Sequence, residues 1–228
     1  MAKMNFVLAA GGTGGHMVPA HALASELRAR GHGVLVITDA RGAKIPGLFA
    51  KIPVHVLPAG RLGGGPIGWA KAFFSVLAGR REARAIYRDH PPQAVVGFGG
   101  YPTLPPMLAA ARAKIPTVVH DANAVLGRAN RFLAPRVTAI ATSLPKVGGA
   151  EMFAARIVET GNPVRPAVRE AAATPYPARE AGEPFRLLVF GGSQGARFMS
   201  DLLPPAVRAL PEADRRLLRV TQQCRPED

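Results

Sequence analysis

Gly11-Gly12-Thr13-Gly14-Gly15-His16 stands between an apolar run and a helix-forming stretch, and this junction limits the folds open to the chain. Asn5 to Ala10 reads as a buried strand. Pro19 to Arg30 reads as a helix, with Ala20, Leu23, Ala24 and Leu27 on one face and Gly31 as its stop. Glycines at such a junction let the backbone turn sharply and let another group come close. Exposed backbone N–H groups and the positive end of a helix suit a phosphate or another electron-rich group. His16 stands at the mouth of the turn, where a proton acceptor is useful.

Strand and helix signals then alternate. Strands are expected at Gly33–Thr38, Val54–Leu57, Ala94–Val96, Thr117–Val119, Val137–Ile140 and Arg156–Val158. Helices are expected from Pro66 to about Arg88, from Thr103 to Arg112 and from Val125 to about Phe132. Short apolar strands separated by helices predict an α/β fold, a parallel sheet covered on both faces. Gly161 to Pro184 holds five prolines and little apolar periodicity, and reads as a linker. Beyond it, Leu187 to Arg197 repeats the strand–glycine–helix pattern around Gly191-Gly192-Ser193-Gln194-Gly195, with one more strand at Leu217–Thr221. The expected division is an N-terminal Rossmann-like domain over 1–160, a linker over 161–184 and the incomplete start of a second Rossmann-like domain over 185–228.

Composition removes several classes. The single cysteine, Cys224, excludes a disulfide framework and a cysteine-based zinc site. No run approaches the roughly 18 apolar residues of a membrane span, and the N-terminal run is too short for a signal peptide. The net charge of +14 favours anionic partners. One Trp, three Tyr and ten Phe, with no RNA- or zinc-finger signature, argue against nucleic acid. No Asp-x-Asp occurs, and His16 and His21 are poorly spaced as a helical metal pair, so no metal and no cofactor is expected.

Three further segments bear on chemistry. Gly97-Phe98-Gly99-Gly100-Tyr101-Pro102 joins a strand end to a helix. It is either an ordinary tight turn or part of a ligand cleft, because strand C-terminal ends share one edge of a parallel sheet. His120-Asp121-Ala122-Asn123 follows another strand at that edge. Its carboxylate and amide suit a base and a sugar-hydroxyl partner, or Asp121 or Asn123 caps the next helix. The segment Ile67 to Leu77 carries Trp69, Phe73 and Phe74 among Arg61, Lys71, Arg80, Arg81 and Arg84. It either packs inward or forms a patch for an anionic membrane surface. Asp39, at the end of the second strand, leaves a nicotinamide-dependent oxidoreductase as an alternative, although G-x-G-x-x-G is absent.

Taken in order, Gly11 to His16, Gly97 to Tyr101, His120 to Gly127, Gly161-Asn162-Pro163-Val164-Arg165 and Gly191 to Ala196 resemble the MurG family, the bacterial lipid I N-acetylglucosaminyltransferases of glycosyltransferase family 28. The resemblance implies a GT-B fold, with two Rossmann-like domains. It implies inverting transfer of N-acetylglucosamine from UDP-N-acetylglucosamine to lipid I, giving lipid II for peptidoglycan synthesis. The enzyme would be peripheral, at the cytoplasmic face of the inner membrane. The resemblance places Thr13, Gly14, Gly15, Asn123, Arg165 and Ser193 in the UDP-sugar site, with Gly192, Gln194, Gly100 and Tyr101 beside them in the same motifs. His16 is the candidate base and Asp121 the alternative. Ile67, Trp69, Phe73, Phe74 and Leu77 correspond to the family's membrane patch.

Two departures matter. The family usually reads His-Glu-Gln-Asn where this chain has His120-Asp121-Ala122-Asn123, so a carboxylate there reaches one methylene less far. Family members also continue through most of a second domain. The expectation is that these 228 residues alone are inactive and keep the acceptor-side domain; a non-catalytic membrane-binding role is the alternative.

Overall fold

The computed structural model describes all residues except Met1, Thr13, Pro46, Arg61–Gly64, Ala181, Gly192–Ala196 and Asp228. The chain divides into two compact units, Met1–Glu170 and Ala171–Asp228. The division falls inside the stretch expected as a linker. That stretch also contains an exposed helix, α5 (Pro166–Ala173). Pro166 opens it with a preset φ, and Ala167, Glu170 and the Ala171–Ala173 run are good helix formers.

The first unit is built on seven parallel strands: β1 (Asn5–Ala9), β2 (Gly33–Thr38), β3 (Val54–Val56), β4 (Ala94–Gly97), β5 (Thr117–Asp121), β6 (Ala139–Thr142) and β7 (Ile157–Glu159). Their order in the sheet is β3-β2-β1-β4-β5-β6-β7. The direction of winding therefore reverses between β1 and β4, where Ala9 pairs with Gly97. Clefts of open α/β sheets form at such a reversal, outside the C-terminal strand ends. The Gly11 and Gly99 turns both leave the sheet there.

Adjacent residues of each inner strand serve opposite faces, which is why these strands read as continuous apolar runs. Val7, Ile37, Val95, Val119 and Ile140 pack with Met107, Leu133, Ala83 and Tyr87 on one side. Leu8, Val34 and Val36 pack with Met17, Ala20, Ala24 and Phe98 on the other. The helices concerned are α1 (Gly14–Ala29), α2 (Gly65–Asp89), α3 (Leu104–Arg112) and α4 (Arg128–Leu133). Tyr87 reaches through this core to donate its hydroxyl to the Pro106 carbonyl (3.0 Å).

Several boundaries differ from the sequence reading, and three of them have a local cause. α1 begins at Gly14 and carries Pro19 inside it. Pro19 is its sixth residue, past the first turn, so the Gly15 carbonyl goes without its helical N–H partner. His16 thus belongs to the first turn of the helix rather than to the loop before it. α4 starts at Arg128, not Val125, because Val125 bridges to Gly148 and the Gly127 N–H is held by Asp121. β6 starts at Ala139, since Thr138 exchanges backbone and hydroxyl bonds with Thr117 just ahead of it.

In the second unit β8 (Phe185–Val189) and β9 (Leu218–Gln222) pair in parallel. α6 (Arg197–Arg208) and α7 (Glu212–Arg216) lie between them in sequence. Parallel strands joined through helices match the expected start of a second Rossmann-like unit. Two strands cannot cover both of their faces, and Phe185, Leu188, Phe190, Phe198 and Leu202 are exposed.

Candidate active site

The reversal between β1 and β4 brings two glycine turns into contact. A Cβ on Gly11 would lie 2.5 Å from Pro102, so the two turns approach as closely as they do only because residue 11 lacks one. Gly99 has φ +97°, a left-handed conformation that disfavours other residues. A Cβ there would also stand 3.1 Å from His16 Cε1 and 3.2 Å from Nδ1. The imidazole of His16 is thus seated on the Gly99 backbone. Gly100, on the same turn, faces its Cδ2. Tyr101, next in the chain, is half-buried against the core and starts a 3-10 turn that leads into α3.

Burial lowers the pKa of His16 below the ordinary histidine value, against a hydrogen bond to the Phe98 backbone and the charge of Asp121, which both raise it. A neutral ring that gives its one N–H to a carbonyl turns a lone pair outward on the other nitrogen. This is the state a general base requires.

Asp121 ends β5 and is 2 % exposed. Its Oδ1 accepts from the Asn123 backbone N–H (3.0 Å) and the Asn123 side-chain amide (2.9 Å). Its Oδ2 accepts from the Gly127 N–H (2.8 Å) and from Asn130 Nδ2 (3.0 Å). Four donors fill the carboxylate, so its geometry is that of a knot holding the loop. The capping alternative is also altered: Asp121 spans six residues to the position just before α4. Asn123 is exposed at this edge, its side-chain amide anchored on Asp121.

His120 is a core histidine. Its Nε2 faces the Gly161 carbonyl (3.2 Å) and Ser143 Oγ (3.3 Å), and its ring lies 5.4 Å from that of Phe98. Asp39 is likewise committed. Its Oδ1 accepts from the Gly42 (2.9 Å) and Gly12 (3.3 Å) amides, and its Oδ2 from Arg41 Nε (2.9 Å). Burial opposes ionisation of Asp39, but these donors outweigh it and hold the pKa below the usual value. The acid that a dinucleotide ribose would need is therefore spent on the protein itself.

Gly14 and Gly15 form the start of α1. Arg165 is exposed and lies near enough to His21 for its charge to act there, with burial, in lowering the His21 pKa. Thr13, Gly192, Ser193 and Gln194 lie outside the described residues. In the second unit, Gly191 N–H donates to Gln223 Oε1 (3.3 Å), which ties the start of the downstream turn to the end of β9. Among the described residues no cluster of three or more His, Cys, Asp or Glu is placed to hold a metal.

α2 turns Ala72, Gly79, Ala83 and Tyr87 inward. Its apolar residues point the other way: Ile67 is 72 % exposed, Trp69 58 %, Phe73 61 % and Phe74 66 %, with Leu77 at their edge. The inward-packing reading of this segment is overturned, because the small residues let α3 approach and leave the large ones outside. Among the described residues no helix is long and apolar enough to cross a membrane.

The residues that sequence reasoning missed are Asn130 and the Phe98 backbone. Neither carries a spacing signal, since both act through contacts made only after the sheet has formed.

Comparison with known proteins gives the family. The glycosyltransferase family 28 N-terminal domain matches residues 6–142. The chain is 54 % identical over 224 residues to the UDP-N-acetylglucosamine–N-acetylmuramyl-(pentapeptide) pyrophosphoryl-undecaprenol N-acetylglucosamine transferase of Zymomonas mobilis, covering 98 % of this chain and 58 % of that protein. It is 54 % identical over 230 residues to the enzyme of the same name from Brucella anthropi, covering 100 % and 61 %. The crystal structure of Acinetobacter baumannii MurG superposes with a TM-score of 0.69 at 26 % identity, over 99 % of this chain and 69 % of that one. The chain thus spans about three fifths of the length of the curated relatives it matches. With that domain model covering more than half of its residues, the chain belongs to glycosyltransferase family 28.

Proposed function

We propose that this chain provides the acceptor-side half of a lipid I N-acetylglucosaminyltransferase. The donor is UDP-N-acetylglucosamine, and the acceptor hydroxyl belongs to undecaprenyl-diphosphate-linked N-acetylmuramoyl-pentapeptide. The observation that carries this reading is the place of His16: a half-buried imidazole in the first turn of α1, packed against the Gly99 turn at the sheet reversal, where burial lowers its pKa. Relatives named for this reaction, at more than half identity over nearly the whole chain, support it.

In this mechanism His16 takes the proton of the acceptor hydroxyl as that oxygen attacks the anomeric carbon. The bond to the UDP oxygen breaks and configuration inverts. Asn123 offers its amide to a sugar hydroxyl. Gly14 and Gly15, at the positive end of α1, and Arg165 counter diphosphate charge, with Thr13, Ser193, Gly192 and Gln194 serving the same ligand. Gly100 and Tyr101 belong to the turn on which the base rests. Asp121 holds Asn123 in place and is not the base, because all four of its acceptor positions are filled. The apolar face of α2, flanked by Lys71, Arg81 and Arg84, seats the protein on an anionic membrane at the cytoplasmic side, where the lipid acceptor is reached.

The test is transfer of labelled N-acetylglucosamine from its UDP donor to a lipid I analogue, by the wild-type chain and by His16→Ala. Turnover that collapses in the variant supports the base. Transfer that survives in His16→Ala removes it. No transfer by the wild-type chain leaves the family assignment standing and makes acceptor binding the function of these 228 residues, read then by binding of the lipid I analogue.

A further inference from the structure

Asn130 lies on α4 and is 2 % exposed. One side-chain amide makes two bonds: Nδ2 donates to the His120 carbonyl (2.9 Å) and to Asp121 Oδ2 (3.0 Å). The same nitrogen would stand 3.5 Å from a Cβ on Gly99, whose other neighbours are the His16 ring atoms. The imidazole on α1 and the amide on α4 therefore meet over the same side of Gly99, in the space a Cβ would take. The Oδ1 of Asn130 is buried with no partner. An apolar residue would spare that oxygen but take a donor from both the His120 carbonyl and Asp121 Oδ2, so the amide is held here by what its nitrogen joins.

We infer that Asn130 is a positioning residue for both His16 and Asn123: its amide, pinned between the end of β5 and the Gly99 turn, fixes the wall on which the His16 ring sits and the carboxylate that carries Asn123. The role in chemistry rests on the reading of His16 as the base; the positioning itself does not. The charged and titratable groups around His16 divide simply. Asp121, at the end of β5, acts on it through its charge. Asp39, beyond the Gly11 turn, is spent on Gly12, Gly42 and Arg41. His120 turns its Nε2 to Gly161 and Ser143.

Three variants test the inference by NMR on the whole chain. Asn130→Asp keeps the shape but sets a second carboxylate against Asp121. Asn130→Ala removes the amide without adding charge. Thr142→Val alters a buried hydroxyl with no partner at the adjacent end of β6, and serves as the structural control. The expected result is a His16 titration midpoint that rises in Asn130→Asp. The Asn123 and Gly127 amide resonances should move in both Asn130 variants, and all of these should stay put in Thr142→Val. In the wild type, a cross-peak between the His16 ring and the Asn130 amide protons is expected, and this requires no variant to fold. Its absence overturns the inference. So does a folded Asn130 variant in which His16, Asn123 and Gly127 all keep wild-type signals, or a Thr142→Val protein that shifts them equally. If these signals move as expected while His16→Ala retains transfer, the base reading fails and the positioning stands.

Discussion

Replacing Asp121 by Asn separates a structural carboxylate from a catalytic one. Each carboxylate oxygen accepts two bonds, from Asn123 on one side and from Gly127 and Asn130 on the other. An amide has one acceptor oxygen and one donor nitrogen. Whichever way it is turned, its NH2 points at two other donors, so two of the four bonds are lost. Hydrogen bonds to a charged group contribute about 1.5–3 kcal/mol each, which puts the loss at roughly 3–6 kcal/mol. For a domain whose whole stability is about 5–15 kcal/mol, that is a large fraction. Urea denaturation followed by far-UV circular dichroism reads the global loss. Hydrogen exchange reads the local one, with the Asn123 and Gly127 amides losing protection first. A loss under about 1 kcal/mol, with both amides still protected, would refute the four-donor account and return Asp121 to the list of candidate bases.

Gly99→Ala forces a side-chain residue to φ +97° and sets its methyl 3.1 Å from the His16 ring; a stability loss of about 1–3 kcal/mol and a marked fall in transfer are expected, by thermal melting and the labelled-sugar assay. Burial lowers the pKa of His16, His21 and His120, so each binds its proton more weakly in the folded state than in the unfolded chain. Their contribution to stability is complete above the unfolded value of about 6.5 and falls as the pH drops from there toward the folded values. Urea midpoints measured from pH 8 to pH 5 should decline over that window, and a flat profile would contradict it. For the same reason the acid limb of transfer should lie below that of an ordinary histidine. Trp69→Ser with Phe73→Ser should abolish flotation with anionic vesicles and leave the melting temperature nearly unchanged, since both side chains are more than half exposed. Tyr87→Phe should cost about 1 kcal/mol by losing the bond to Pro106, measurable by urea titration.

The alternation of strands and helices was legible because every inner strand is buried on two faces and so appears as an uninterrupted apolar run. Gly33–Thr38 is recoverable to the residue. The start of α1 was not, because Pro19 signals a helix beginning while the backbone had already turned helical at Gly14. The helix inside 161–184 was hidden by its prolines. That the His16 and Gly99 turns meet at one sheet edge follows from their places after β1 and β4. The role of Asp121 does not follow from its place. A carboxylate at a strand end has the same one-letter appearance whether it faces a substrate or four backbone and amide donors, and only the path of the chain through Asn123, Gly127 and Asn130 decides between them. The outward face of α2 was ambiguous for a related reason. Ala72, Gly79 and Ala83 give a weak apolar stripe, outweighed on paper by Trp69, Phe73 and Phe74 on the opposite side.

The order of the sheet also has a temporal side. β1 is flanked by β2, the next strand made, and by β4, which is synthesised some eighty residues after the His16 turn. The first pairing closes a short loop. The second must wait for α2 and for two more strands to leave the ribosome, and such distant contacts form slowly. Until then His16 has neither the Phe98 backbone nor the Gly99 surface, and is an ordinary solvated histidine. The burial that lowers the His16 pKa comes only when the N-terminal unit closes, so a nascent or truncated chain that ends before β4 holds the residue without its setting.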